Sequence, residues 1–290
     1  MNKKFEFRFA PSINVHVWGG FGSQLFALII AERLQIKTRL RRIKIIFHSS
    51  GVTERKLEIP EIWLEQFKVE IRDDYRDRSL NQGVRDSNLN ISKIRKRIKN
   101  ILINSGLTAT SNSEKAFSEL KPWVVSIRGH YTELQLRESE IRNLMDRFEL
   151  SADTTPLNEV AIHYRLGDLL KLEAKGFIHP QRIIETWQNQ MNNDLPLHIF
   201  SDSTNDDLKK IWQKAEGPKE FEFSNLSPIR TIQSCFNAEE FLGTNAKLSL
   251  WIALFRLVAS RDSTFIPVEI RNQFNVLSCK LISEYKIDVY

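Results

Sequence analysis

Val160-Ala161-Ile162-His163-Tyr164-Arg165-Leu166-Gly167-Asp168 is an apolar, β-branched run that breaks into a glycine-containing polar turn. A run of this length and composition reads as a buried strand at 160–164, followed by a loop. In a parallel α/β sheet, ligands collect at the carboxyl ends of the strands. Arg165 is then a cation leaving a strand end, and its planar fork can grip two phosphate oxygens at once. A plainer reading fits the same spacing: Arg165 and Asp168 pair with each other, and His163 is a core histidine.

Working outward, short β-branched runs alternate with longer helical ones. Strands are expected at 13–18, 43–48 and 123–127, then at 160–164, 197–201, 220–223, 240–243 and 264–268. Helices are expected at 24–35, where Ser23 can act as the cap, and at 133–149. Further helices are expected at 180–193, 205–214, 228–237 and 246–260. This alternation predicts α/β architecture with parallel sheets. Residues 73–90 are polar and poorly periodic, as in an insertion. The stretch 151–157 (Ser-Ala-Asp-Thr-Thr-Pro-Leu) is the best boundary in the chain. It divides the chain into domains 1–152 and 153–290, with a cleft expected between two halves of near-equal size.

Three other elements carry candidate chemistry. In His198-Ile-Phe-Ser-Asp202 a carboxylate follows an apolar strand, where it can accept bonds from ribose hydroxyls or a purine edge. Asp202 or Ser203 can equally cap the helix at 205–214. Gly243-Thr244-Asn245-Ala-Lys-Leu-Ser249 turns a strand into an apolar helix, and a helix N-terminus favours anions. There too, Thr244 or Asn245 can simply cap. The loop Gly19-Gly20-Phe-Gly22-Ser-Gln24 lacks the third glycine of a dinucleotide fingerprint and the Gly-Lys-Ser/Thr of a P-loop. Its glycines serve a tight turn, or let a ligand approach the backbone.

Composition narrows the classes. The 290-residue chain carries a formal net charge of +6, which favours anionic partners. Residues 91–102 concentrate that charge, with Lys93, Arg95, Arg97 and Lys99 beside Ile91, Ile94, Ile98 and Ile101 at helical spacing. Such a helix either rests on anionic lipid or packs on its own core with a solvated basic face. Aromatic interleaving and helix-turn-helix or zinc-finger spacing are absent, so no nucleic-acid partner is expected. Two cysteines, Cys235 and Cys279, make no disulfide framework. His pairs at zinc spacing and a Gly-x-Ser-x-Gly elbow are missing, so neither a metal nor a serine triad is expected. The first residues lack an apolar signal core and no run spans a bilayer, so a cytoplasmic protein is expected.

The ordered set resembles the α1,2-fucosyltransferase family and the wider superfamily of GDP-fucose transferases. The family's Gly-Gly-Leu-Gly-Asn-Gln-Leu-Phe is Gly19-Gly20-Phe21-Gly22-Ser23-Gln24-Leu25-Phe26 here. Its Gly-Tyr-Trp-Gln is similar to Gly129-His130-Tyr131-Thr132. His-x-Arg-x-Gly-Asp is intact at 163–168, and Phe-Ser-Asp at 200–202. The closing Asn-Ser-Ser-Phe-Ser-Trp-Trp-Ala-Ala is Asn245-Ala-Lys-Leu-Ser249-Leu-Trp251-Ile-Ala253, which marks a distant member.

The resemblance implies a GT-B fold of two Rossmann-like domains, acceptor-binding before 152 and donor-binding after it. It implies inverting, metal-independent transfer of fucose from GDP-fucose to a glycan hydroxyl, with no cofactor. The acceptor would be a bacterial surface polysaccharide, lipid-linked or free. On that resemblance Arg165, Asp168 and Glu173 are catalytic candidates, because in related α1,6-type enzymes a Glu follows the motif Asp at the spacing of Glu173. Gly20, Gly22, Gln24, His163, Asp202, Thr244, Asn245 and Ser249 are the substrate-binding candidates. Transfer of another nucleotide-activated sugar is the alternative, as is a non-catalytic nucleotide or carbohydrate binder on the same scaffold.

Overall fold

A computed structural model describes residues 12–38, 41–49, 55–73, 97–98, 100–110, 117–129, 131, 134–167, 178–215, 217–218, 220–273 and 288–289. Residues 74–90 of the insertion expected at 73–90, residues 91–96 and 99 of the basic segment, Asp168 and Glu173 lie outside these residues. The chain forms two compact units, Met1–Leu134 and Gln135–Tyr290.

The first unit is a parallel sheet of β1 (Ile13–Trp18), β2 (Ile43–His48), β3 (Lys68–Arg72), β4 (Thr108–Thr110) and β5 (Ser126–Arg128), in the order β3-β2-β1-β5-β4. Helix α1 (Phe21–Lys37) is buried almost all round from Phe21 to Leu34, and so forms the centre of this unit. It begins three residues earlier than the sequence predicts. Its N-cap is Gly20, and Ser23 is a buried residue within its first turn. Gly19, at φ +92°, makes the sharp turn between β1 and α1. A short helix, α2 (Glu61–Leu64), precedes β3, and residues 97–98 and 100–104 are helical.

The second unit opens with α3 (Glu138–Arg147). Its sheet contains β6 (Leu157–His163), β7 (Leu197–Phe200), β8 (Glu222–Ser224), β9 (Ala238–Gly243), β10 (Thr264–Ile266) and β11 (Asp288–Val289). All the pairings are parallel, and the order is β11-β10-β9-β6-β7-β8. Counted from β6, this is the 3-2-1-4-5-6 order of a doubly wound Rossmann sheet. The α/β class read from the sequence, with two Rossmann-like units, is what the topology has.

Around the second sheet run α4 (Pro180–Gln190), α5 (Asn205–Lys214), α6 (Pro228–Asn237), α7 (Lys247–Val258) and α8 (Val268–Gln273). Helices α5 and α6 match the sequence reading to the residue because each is capped locally. Thr204 Oγ1 accepts from the Asp207 N–H at 3.2 Å, and Ser227 Oγ from the Arg230 N–H at 3.4 Å, ahead of Pro228 at the first helical position. One face of the sheet packs Val160, Ile162, Ile183, Ile184, Trp187, Ile199, Leu208 and Trp212 into a continuous core.

The unit boundary falls earlier than 152. Ile141, Leu144 and Met145 of α3 are buried, and the helix packs on α7. The Phe148 and Phe255 rings lie 5.4 Å apart, and Phe148 O accepts from Gln233 Nε2 at 3.0 Å. The helix before the Pro-containing stretch therefore belongs to the second unit by packing.

Candidate functional site

A doubly wound sheet has a crevice at its carboxyl edge where the strand order reverses, and there ligands bind. In the second unit this switch point lies between β6 and β9, whose last residues, His163 and Gly243, are register partners. The two loops that leave them are 163–167 and 244–249.

Four hydrogen bonds lock these loops together. Thr244 Oγ1 donates to His163 O at 2.9 Å and accepts from the Arg165 N–H at 3.1 Å. Ser249 Oγ accepts from the Thr244 N–H at 3.0 Å and lies 2.6 Å from His163 Nδ1. Burial lowers the His163 imidazole to about 4, with Asp202 opposing and Arg165 adding to the shift. The ring is therefore neutral near pH 7, and the Ser249 hydroxyl can donate to Nδ1 while it accepts from Thr244. All three side chains are nearly inaccessible, with Ser249 fully buried. Gly243 is required here, because a Cβ would lie 2.8 Å from Ser249 Cβ.

The third strand end adds Asp202. Its Oδ1 accepts from the Leu166 and Gly167 N–H groups at 2.9 and 2.8 Å. The exposed carboxylate thus holds the turn that follows Arg165, and it does not cap α5, which Thr204 does. A Cβ on Gly167 would lie 2.8 Å from Asp202 O, so glycine is what lets the two loops close.

Of the sequence candidates, His163, Arg165, Asp202, Thr244, Asn245 and Ser249 are therefore brought to one sheet edge. Asn245 is half-buried on the turn between β9 and α7, and the Thr244 hydroxyl bonds to the 163–165 loop. The N-cap is Ala246, which offers no side-chain acceptor to the first N–H groups.

The first residue of α7 is Lys247, which the sequence reading passed over. Burial, then the nearby Arg165 guanidinium, lower its ammonium to about 8. Two cations are thus held close together at a helix N-terminus, where the backbone dipole is also positive. A visible signal existed: Lys247 stands where the family pattern has the second of its two serines after Asn245. A strongly perturbed cation in a strand-end crevice marks a site candidate with a physical rationale. Among the described residues, no group of three His, Cys, Asp or Glu side chains is arranged to hold a metal ion.

The first unit holds Gly20, Gly22 and Gln24. Gly20 is the α1 N-cap, without a side-chain bond, and Gly22 is buried in the first turn. The Gln24 amide donates to Lys56 O at 2.8 Å and Gly19 O at 3.3 Å, and accepts from the Glu58 N–H at 2.9 Å. It fixes the glycine turn to the 56–58 segment. Also at this carboxyl edge is an aromatic cluster missed in the sequence. The Trp18 and His48 rings stack at 4.6 Å, His16 stacks on His48, and His16 Nδ1 lies 2.9 Å from His48 Nε2. Burial and then Arg128 press His16 down to about 2, with smaller contributions from His48 and Arg72 and opposition from Glu70.

No family model matches the chain, and no curated protein matches its sequence. Among solved structures it is similar to the α-1,6-fucosyltransferase NodZ soaked with GDP-fucose, at 14% identity and a TM-score of 0.38, covering 85% of this chain and 92% of that one. It is also similar to the E. coli heptosyltransferase WaaC with ADP, at 9% identity and a TM-score of 0.38, covering 88% and 87%. For POFUT1 in complex with GDP the values are 12%, 0.35, 87% and 97%. Likeness at this level assigns no activity, and the functional reading rests on the site.

Proposed function

We propose that this chain is a glycosyltransferase that draws its sugar from a nucleoside diphosphate donor bound at the β6/β9 crevice. The observation that carries the reading is the convergence of Arg165, Lys247 and the α7 N-terminus at the switch point of a doubly wound sheet. Breaking a sugar–phosphate bond builds negative charge on the departing diphosphate, and only interactions that strengthen with that charge accelerate the step. Fixed cations and the backbone N–H groups of a helix N-terminus supply them without reorganisation. In this reading His163, Thr244, Ser249 and Asp202 are positioning groups that fix the two loops on which Arg165 and Lys247 sit.

The donor we favour is GDP-fucose, on the sequence resemblance, with metal-independent inversion at the sugar carbon and a glycan hydroxyl as acceptor. The same resemblance favours a GT-B enzyme of bacterial surface polysaccharide synthesis, with the acceptor in the first unit and the donor in the second. Asp168 or Glu173 would orient or deprotonate the acceptor hydroxyl.

Thermal unfolding with millimolar GDP, UDP or ADP tests the assignment, because a ligand that binds only the native state raises its stability by mass action. GDP should give the largest shift. A larger UDP or ADP shift would reassign the base, and no shift with any of them would remove the donor site altogether. Arg165→Ala should abolish the GDP shift and lower turnover by about 10²–10³ while the protein stays folded. Arg165→Lys should recover little, since the fork geometry is lost.

A further inference from the structure

The basic segment of the first unit has two sequence readings, and the exposure of its side chains separates them. Ile98, Ile101 and Leu102 stand at i, i+3 and i+4 among the helical residues 97–98 and 100–104, on one face. They are 52%, 65% and 38% exposed, so this face is not packed on the protein's own core. Trp123, 55% exposed, joins the patch: its indole N–H donates to Ser105 O at 2.7 Å, just past the helix end. Lys121 lies against Gly106 at the same turn. Arg97 is exposed beside the apolar stripe. The sequence around it holds Lys93, Arg95, Lys96, Arg97 and Lys99, with no Asp or Glu anywhere from 87 to 113.

We infer that the patch formed by Arg97, Ile98, Ile101, Leu102, Lys121 and Trp123 docks on the surface of an anionic lipid bilayer. Branched aliphatic side chains beside a run of Lys and Arg, with a Trp at the rim, are the composition of an interfacial contact. Apolar groups enter the acyl boundary while the cations meet anionic headgroups. A second copy of the chain fits poorly, because two such stripes would bring like charges face to face. A nucleic acid would use the cations and leave the isoleucines unexplained. No helix of the described residues is long and apolar enough to cross a membrane, so the contact is peripheral. Docking here is independent of which sugar the enzyme transfers.

Flotation with vesicles of equal parts phosphatidylglycerol and phosphatidylcholine, and with pure phosphatidylcholine, tests the inference. Wild type should float with the anionic vesicles alone, and added salt should release it. Arg97→Glu swings the local charge by two units and should weaken partitioning roughly thirtyfold. Ile98→Ser with Ile101→Ser should weaken it at least about tenfold, at unchanged thermal stability. Ile62→Ser, at an exposed isoleucine outside the patch, should float like wild type. Trp123→Phe should remove a lipid-dependent blue shift in the fluorescence. The inference is overturned if wild type does not float, if it floats equally with neutral vesicles, or if the double serine variant floats like wild type. Self-association of wild type that Ile98→Ser disperses would also overturn it.

Discussion

Lys247 offers the sharpest test of the donor site, because its ionisation should report on the ligand. In the free protein, burial and Arg165 hold its ammonium down at about 8, against 10.5 ordinarily. A diphosphate set against the pair adds negative charge beside Lys247 and returns it toward its ordinary value. A group whose pKa rises on binding takes up a proton, so affinity must fall as pH rises through the free-state value. The fraction of free protein with Lys247 charged is about nine-tenths at pH 7 and about one-tenth at pH 9. The apparent affinity for GDP should therefore fall about tenfold between these two pH values. Proton uptake should climb over the same range, from about a tenth of a proton to about nine-tenths. Calorimetric titration in two buffers of different ionisation enthalpy measures that uptake directly. Lys247→Met should bind more weakly at pH 7 and lack this component, while titration of the nucleotide itself is common to both proteins and cancels in the comparison. Parallel pH profiles for the two proteins would refute the reasoning even if GDP binds, whereas absence of binding at every pH would instead remove the donor site.

Two further predictions concern stability. Arg256 is fully buried and donates to the carbonyls of Cys235, Phe236, Ala238, Glu239 and Asp262, and to Thr264 Oγ1. Arg256→Met leaves those acceptors without their donor, and should lower unfolding free energy by about 4 kcal/mol or more in urea titration. A loss below about 1 kcal/mol would mean that the loops close without it. His163, neutral in the fold down to about 4, protonates near its ordinary value of 6.5 when the chain unfolds. Stability held above pH 6.5 should therefore drain away as pH falls toward 4, by up to about 3 kcal/mol. His163→Gln should flatten that slope, and an unchanged slope in urea titrations across the window would count against a neutral His163.

What was legible in the sequence was what local chemistry decides. Helices α5 and α6 were legible at 205–214 and 228–237, although the cap of α5 is Thr204 and not Asp202 or Ser203, because a cap acts within one turn and leaves a local signal. The strands β6 and β7 were legible from their buried apolar residues, Val160–Ile162 and Leu197, Ile199 and Phe200, although β6 also takes in Leu157–Glu159 ahead of that run. β3 and β4 were not: Lys68–Arg72 is largely polar with partly exposed side chains, and Thr108–Thr110 is too short to show a period. The compact units divide at 134/135 and not within the Pro-containing stretch, because such a stretch marks where the chain bends, whereas a helix is assigned to a unit by what it packs on. The apolar face of α3 is plain in the sequence, but its partner α7 lies about a hundred residues later.

The site shows the same division. Arg165, Asp202 and the 244–249 turn were found because each follows an apolar strand, which is a local fact. That the bonds between them run from 163 to 249 and from 166 to 202 is not local, and it changes what several of these residues do. Ser249 and Thr244 resemble ligand-binding hydroxyls in sequence, yet their hydrogen bonds point inward and stitch the two loops together. Lys247 was passed over because a lysine at the start of a helix in a basic protein looks like solvated surface. Its shift comes from burial and then from Arg165, which the chain brings near it from 82 positions away. Two cations near one another and partly desolvated repel, and an anion bound beside them would relieve that repulsion. A purely structural account would predict instead that Lys247→Met stabilises the protein and leaves nucleotide binding untouched, so measuring both quantities on that one variant separates the two accounts.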